Sequence, residues 1–164
     1  LSFDGVDDYV DCGNGASLNI TNTITIEAWL NTGTPQTGKS PVHKGVTGDY
    51  DYMLYWTGGE TPVASFYIKN SAGATDNAGT ITKGITFNSW IHLVGVYDGS
   101  RLYFYVNGIQ AANKSTALTN IRSTSGILSI GKGWGHFSGL IDEVRIYNRA
   151  LSAEEIKRHY EESK

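Results

Sequence analysis

The chain has 164 residues, and its 20 Gly, ten Tyr and four Trp stand beside a single Met. Such a composition favours many turns and aromatic strands over a helical bundle. The formal net charge is −3 and the 13 Lys and Arg are scattered, which argues against nucleic acid as a partner. No apolar run approaches the roughly 20 residues that cross a bilayer, so we expect no membrane insertion.

The length fits one domain over residues 1–164 better than two, because β-sandwiches commonly run longer than the average domain. The chain starts without Met or a signal peptide. We therefore expect a piece of a larger protein, whose other domains are its neighbours. The single Cys12 forms no disulfide within the chain, so cysteine content leaves the compartment open.

Alternating apolar residues predict a strand over residues 24–30, with Ile24, Ile26, Ala28 and Leu30 on one face. Apolar runs at 90–97 and 102–106 end at Asp-Gly and Asn-Gly turns, which predicts two successive hairpins. Further short strands are predicted at 9–12, 51–56, 64–68, 127–130 and 140–147. Gly- and Thr-rich surface loops are predicted at 31–40, 57–61 and 70–83. The spacing of the predicted strands is typical of a sandwich or barrel.

The C-terminal segment carries the signals of a short helix. Ser152 is a predicted N-cap, and Glu155 follows three residues later as its capping-box partner. Ile156 and Tyr160 are four residues apart, so they share the face that packs on the sandwich.

Six segments follow one another along the chain: residues 3–10 (FDGVDDYV), 25–29 (TIEAW), 90–94 (WIHLV), 97–99 (YDG), 105–108 (YVNG) and 139–152 (GLIDEVRIYNRALS). In order and spacing they resemble the laminin G-like, concanavalin A-like jelly roll of bacterial and archaeal surface proteins, while residues 39–89 match only loosely. The resemblance implies an all-β fold of two stacked antiparallel sheets. It also implies an extracellular or cell-surface location.

The same resemblance implies a structural calcium ion held by the carboxylates of Asp4 and Asp142 and the carbonyl of Gly5. Calcium takes six to eight oxygen ligands, which carboxylates, carbonyls and water supply. The alternative is that Asp4 opens a turn with Gly5 while Asp142 ends a strand. Asp49 and Asp51 show no calcium-loop pattern and are predicted to lie in a solvated loop.

Two tryptophans are candidate sugar-binding platforms, because sugar rings dock their C–H faces on flat side chains. Trp56 ends a strand before two glycines, and Trp134 lies in the Gly-rich loop 131–136. Tyr52 shares a face with Trp56 at period two, Tyr67 extends this surface, and His136 adds a polar group.

Two other tryptophans, Trp29 and Trp90, lie inside apolar strands. They are predicted to belong to the core.

A catalytic function is not expected. The Glu-x-Asp-x-x-Glu pattern of laminarinase-type enzymes is absent, Glu27 has no partner carboxylate nearby in sequence, and Asp142 and Glu143 are predicted to face opposite ways. The four histidines are dispersed, without zinc-ligand spacing.

The sequence therefore predicts a non-catalytic, glycan-binding module of a surface or secreted protein. A protein-binding adhesion module and a passive spacer are the alternatives.

Overall fold

The computed structural model describes residues 1–46, 48–82 and 84–163. Within these residues the chain forms twelve strands, namely β1 (Ser2–Asp4), β2 (Val10–Asp11), β3 (Ile24–Asn31), β4 (Lys39–Gly45), β5 (Tyr52–Thr57), β6 (Val63–Lys69), β7 (Thr75–Ile81), β8 (Ile91–Tyr97), β9 (Arg101–Val106), β10 (Ile109–Ser115), β11 (Ile127–Ile130) and β12 (Ser138–Tyr147). A 3₁₀ turn at Ala16–Leu18 follows β2, and one helix, α1 (Ala153–Glu162), ends the chain.

The strands form two antiparallel six-stranded sheets that stack as a sandwich. The first sheet has the order β1-β12-β3-β8-β9-β10, and the second has the order β2-β11-β4-β5-β6-β7. The jelly-roll prediction is confirmed. The first and last strands are neighbours, because β1 pairs with β12.

The core lies between the two sheets. Ile24, Ile26, Ala28 and Leu30 are fully buried on the inner face of β3, as their alternation predicts. Close packing across the sandwich requires a glycine in β8, because a Cβ atom on Gly95 would lie 2.3 Å from the Phe66 ring of the opposite sheet.

The β8–β9–β10 meander follows the two predicted hairpins. Arg101–Val106 pairs with β8 on one side and with β10 on the other. Asn107 and Gly108 at the second turn both have positive φ, 52° and 74°. Such angles are typical of the two-residue turns that join tightly paired strands.

Three strands, β1, β4 and β7, fall outside the predicted set. The largest discrepancy is β7, which lies in the predicted loop 70–83, whose last residue, Lys83, is outside the described residues. Its segment is rich in Asp, Asn and Gly, which have low strand propensity. Pairing along β6 nevertheless orders it as an edge strand.

Helix α1 packs on the outer face of the first sheet. Ser152 and Glu155 form the predicted capping box, with the Ser152 hydroxyl accepting from the Glu155 amide. Ile156 is fully buried against Val94 and Val96 of β8. Within the described part of the chain, no helix is long and apolar enough to cross a membrane.

Candidate functional site

Strand β5 turns its predicted sugar-binding residues into the core. Trp56 is 0% exposed and Tyr52 is 1% exposed, and both belong to the main hydrophobic cluster. The Tyr52 hydroxyl donates a hydrogen bond to the Leu18 carbonyl at 2.9 Å. The two rings do share a face, as expected, but that face is the inner one. Trp56 and Tyr52 are therefore not binding platforms, and this prediction is wrong.

The opposite face of the second sheet carries four aromatic side chains that touch in a closed cycle. Tyr50 and Tyr55 each contact both Tyr67 and Trp134, with ring centroids 5.4 to 6.0 Å apart and planes near perpendicular, at 79 to 82°. Edge-to-face contacts at this distance are favourable and hold each ring in one orientation. We call Tyr50, Tyr55, Tyr67 and Trp134 the aromatic platform.

The loop between β11 and β12 places Trp134 on this platform. Lys132 and His136 form an isolated bridge at the base of the loop. The loop lies so close to β4 that a Cβ atom on Gly133 would be 2.4 Å from the Cβ of Ser40. Trp134 at the tip remains 48% exposed, as its glycine-flanked position predicts.

Polar groups surround the platform. Burial raises the pKa of Tyr50 and of Tyr67, so both phenols stay protonated and can donate hydrogen bonds. The Tyr67 hydroxyl pairs with the Asn77 side chain of β7. The Lys39 ammonium lies beside the loop that carries Trp134, 2.8 Å from where a Cβ on Gly135 would stand. Hydroxyl, amide and ammonium groups thus lie within reach of a ligand on Trp134.

His136 lies beside the platform rather than within it. Its ring is half-buried, and its centroid is 6.2 Å from that of Tyr9. The Lys132 ammonium lies 4.1 Å above the same Tyr9 ring. His136 therefore lies next to the aromatic platform and belongs to a separate group with Tyr9 and Lys132.

Sequence reasoning missed Tyr50 and Tyr55. The usable signal was the alternation in β5, where Tyr52, Leu54 and Trp56 form the more apolar set and Met53, Tyr55 and Thr57 the more polar one. The more apolar set belongs inside.

The acidic pair next to the platform belongs to an ion-pair network rather than to a solvated loop, which corrects the loop prediction. Asp51 is fully buried and accepts hydrogen bonds from Arg122 Nε and from the Thr124 amide and hydroxyl, all at 2.9 Å. Asp49 pairs with Arg122 and Lys69 at 2.8 Å each. Hydrogen bonding from Arg122 is the main cause that lowers the pKa of Asp49. The network anchors the segment before β11 to the loop that positions Tyr50.

The predicted calcium ligands do not meet. Asp4 pairs with Ser138 across β1 and β12, and Asp142 lies four residues further along β12. At about 3.3 Å per residue this separates the two positions by about 13 Å, too far for one ion. The pairing of Asp4 with Asp142 is therefore wrong.

Asp4 instead lies beside two other carboxylates. Oxygen atoms of Asp4, Asp7 and Asp8 approach within 4.8 Å of one another in the exposed β1–β2 loop. Hydrogen bonding from the Val6 amide, at 2.7 Å, is the main cause that lowers the pKa of Asp4. Three carboxyl groups at this spacing suit a hard cation such as calcium.

The other two tryptophans lie on the outer face of the first sheet. Trp90 is 43% exposed, so its assignment to the core is wrong. Trp29 is buried, but beneath α1 rather than between the sheets, where it stacks with His92 and Tyr160. The period-two alternation that points Ile91 inward turns Trp90 outward.

Glu27 is a fully buried carboxylate beneath the same helix. One oxygen accepts from Arg145 and Tyr147 at 3.2 and 3.1 Å, and the other lies 3.1 Å from His159 Nδ1 and 3.7 Å from His92 Nε2. Burial alone would raise the pKa of Glu27, but hydrogen bonds from the two histidines outweigh it and lower the pKa to about 2. Glu27 is thus ionised and has partners on four sides.

A β-bulge in β12 changes the predicted orientation of the acidic pair Asp142-Glu143. The register with β3 shifts between Asp142 and Arg145, and Glu143 adopts a φ of 47°. Both carboxyl side chains consequently line one cavity instead of facing opposite ways.

Two stacked antiparallel six-stranded sheets, with the first strand paired to the last, define a jelly-roll domain. The model of the concanavalin A-like lectin/glucanases superfamily, in its laminin G-like form, matches residues 4–157. The chain belongs to this family. No curated protein sequence matches the chain.

Three solved structures share the fold. Domain 4 of the extracellular arabinanase AbnA from Geobacillus stearothermophilus, in complex with arabinotriose, has a TM-score of 0.74 at 19% identity, over 96% of this chain and 74% of that one. The binding domain of Paraclostridial Mosquitocidal Protein 1 has a TM-score of 0.71 at 16% identity, over 94% and 41%. A heptameric SAP-like pentraxin from Limulus polyphemus has a TM-score of 0.70 at 15% identity, over 95% and 78%.

Proposed function

We propose that the chain is a non-catalytic carbohydrate-binding module of an extracellular or cell-surface protein, and that the aromatic platform is its glycan-binding surface. The observation that carries the proposal is the setting of Trp134, half exposed at a loop tip while Tyr50 and Tyr55 hold its ring at right angles. A ring fixed before binding loses little conformational entropy when a sugar docks on it.

The chemistry around Trp134 suits a sugar. The exposed indole offers an apolar surface to C–H groups, while the Tyr67 hydroxyl, the Asn77 amide and the Lys39 ammonium offer hydrogen bonds to hydroxyl groups. Support also comes from the arabinanase domain of the same fold, whose structure contains arabinotriose. A shallow surface of this kind binds weakly, so a multidomain parent would gain affinity by avidity.

The carboxyl groups argue against hydrolysis. A glycosidase needs a general acid whose pKa is raised so that it carries a proton near neutral pH. Among the described residues, every carboxyl group with a clear shift has a lowered pKa, namely Asp4, Glu27, Asp49, Asp76, Asp98 and Glu155. These groups remain carboxylates and are poor proton donors.

Trp134→Ala and Tyr67→Ala are expected to weaken binding to a polysaccharide about tenfold or more, because each removes contact area at the centre of the platform. Glycan arrays and retardation in polysaccharide gels measure the loss. Trp134→Ala should shift the melting temperature little, because the side chain is half exposed.

Trp90→Ala is the matched control for Trp134→Ala, since Trp90 has a similar exposure on the opposite sheet. It should keep wild-type glycan binding. If the wild type bound no glycan, or if Trp134→Ala bound as well as Trp90→Ala, the platform proposal would be overturned. The protein-binding or spacer alternative would then be favoured.

We propose separately that a calcium ion stabilises the β1–β2 loop through Asp4, Asp7 and Asp8. An ion that binds the folded chain alone raises its stability, so a chelator should lower the melting temperature. A domain of this size shifts by about 2–4 °C per kcal/mol, and a loss of several degrees is expected. Asp7→Asn should abolish the chelator effect, whereas Asp142→Asn should retain it. A melting temperature that the chelator leaves unchanged would contradict the proposal.

A further inference from the structure

A cavity of about 390 Å³ opens on the outer face of the first sheet, on the other side of the sandwich from the aromatic platform. Its lining residues come from β3, the start of β8, the β12 bulge and the end of α1, and they are Trp29, Trp90, Asp142, Glu143, Tyr160 and Ser163. We call this cavity the Trp90 slot.

Aromatic rings form the walls of the slot. Trp29 and Tyr160 stack at 5.6 Å with planes 15° apart, and His92 packs against both rings, 5.2 Å from Trp29 and 6.2 Å from Tyr160. The stack is held rigidly because Trp29 is 7% exposed. Trp90 is 43% exposed, an unusual exposure for the largest apolar side chain. The slot therefore offers a ligand the exposed indole of Trp90 beside a rigid aromatic wall.

The charges at the slot are negative. Asp142 and Glu143 both line it, and α1 ends there, so the negative end of the helix dipole faces the same space. Arg145, which pairs with Glu143, also pairs with the buried Glu27, so one cation is shared between two carboxylates. None of the described lining residues carries a positive charge.

Aromatic faces and negative charge together select a cation rather than a neutral sugar. A cation over an aromatic ring gains electrostatic energy, most of all over Trp, and the gain is largest when the cation sheds its water easily. Methylated ammonium groups meet this condition, because their methyl groups replace the hydrogen bonds to water. The carboxylates at the rim add long-range attraction.

We propose that the Trp90 slot binds a methylated ammonium group, carried either by a small quaternary amine or by a methylated lysine side chain. This site is independent of the glycan platform and uses none of its residues.

Titration calorimetry on the full chain tests the proposal with choline and its neutral isostere 3,3-dimethylbutan-1-ol, which have the same shape and differ in charge. Choline is expected to bind at least tenfold more tightly than the alcohol. Trp90→Ala and Asp142→Asn should each weaken choline binding about fivefold or more, whereas Trp134→Ala should leave it unchanged. Both slot substitutions are at exposed positions, and circular dichroism checks that the variants are folded.

A second arm identifies the source of the ammonium group by comparing choline with N-acetyl-trimethyllysine amide and its unmethylated form. Tighter binding of the trimethyllysine indicates a protein side chain as the ligand, and tighter binding of choline indicates a small amine. The proposal is overturned if the alcohol binds as tightly as choline, if no methylated cation binds at millimolar concentration, or if Trp90→Ala has no effect. Binding of Trp90→Ala to glycans is measured in a separate experiment. Failure of the slot proposal can therefore be distinguished from failure of the glycan-binding proposal.

Discussion

Trp56→Ala is expected to lower the free energy of unfolding by about 3–5 kcal/mol, the usual cost of truncating a large buried aromatic side chain. Trp56 is 0% exposed and packs edge-on against Phe137, with ring centroids 6.5 Å apart. The cavity that Trp56→Ala leaves between the two stacked sheets collapses poorly, because neighbouring strands hold each wall in place.

Denaturant unfolding curves of the wild type, Trp56→Ala and Trp56→Phe measure the effect. Trp56 Nε1 has no hydrogen-bond partner within the described chain, so Trp56→Phe removes no bond and keeps most of the ring. It should cost much less than Trp56→Ala. Trp134→Ala, with the same chemistry at a half-exposed site, should cost much less than Trp56→Ala, because it loses only its edge-on contacts with Tyr50 and Tyr55. A loss below about 1 kcal/mol for Trp56→Ala would place the ring outside the core.

The most predictable parts of the fold were those in which local pattern and tertiary packing agree. β3 alternates strictly, the β8–β10 meander has turn residues with the required positive φ, and α1 carries its own capping box. β7 was missed because its Asp, Asn and Gly residues disfavour a strand locally. Pairing with β6 orders that segment, and the residue types within β7 do not indicate this pairing.

The site was predictable in part. The glycines around Trp134 correctly indicated an exposed ring, since a tight core rarely accommodates such a loop. Trp56 was misplaced because alternation shows which residues share a face without showing which face is inside. Trp90 was misplaced for a related reason, because an apolar run at the start of a strand hides which residues point outward.

The surroundings of Glu27 lay beyond sequence reasoning. Its partners Arg145, Tyr147 and His159 are 118 to 132 residues away along the chain. Only the pairing of β3 with β12 and the docking of α1 bring them together. A lone glutamate in an apolar strand therefore indicates a buried carboxylate that needs hydrogen-bond or ion-pair partners, although the sequence does not identify those partners.

The Glu27 network makes the stability of the domain depend on acid. The folded pKa of Glu27 is about 2, below its ordinary value of 4.5, so the unfolded chain binds the proton more tightly. The stabilising contribution is fully present above pH 4.5 and is lost as the pH falls toward 2. A difference of this size corresponds to about 3 kcal/mol. Losing it should also loosen α1, since His159 is on that helix.

Glu27→Gln is therefore expected to lower the free energy of unfolding by about 3 kcal/mol at pH 7, with the gap to the wild type closing as the pH falls from 4.5 to 2. Urea unfolding across this pH range measures the gap. Glu155→Gln is the matched control, because Glu155 also has a pKa lowered to about 2, mainly by its hydrogen bond with Arg149, but lies at the surface. Glutamine preserves the capping box and solvent screens the lost charge, so its pH-dependent effect should be much smaller. A gap for Glu27→Gln that stayed constant from pH 7 to pH 2 would show that the carboxylate charge contributes nothing to the fold.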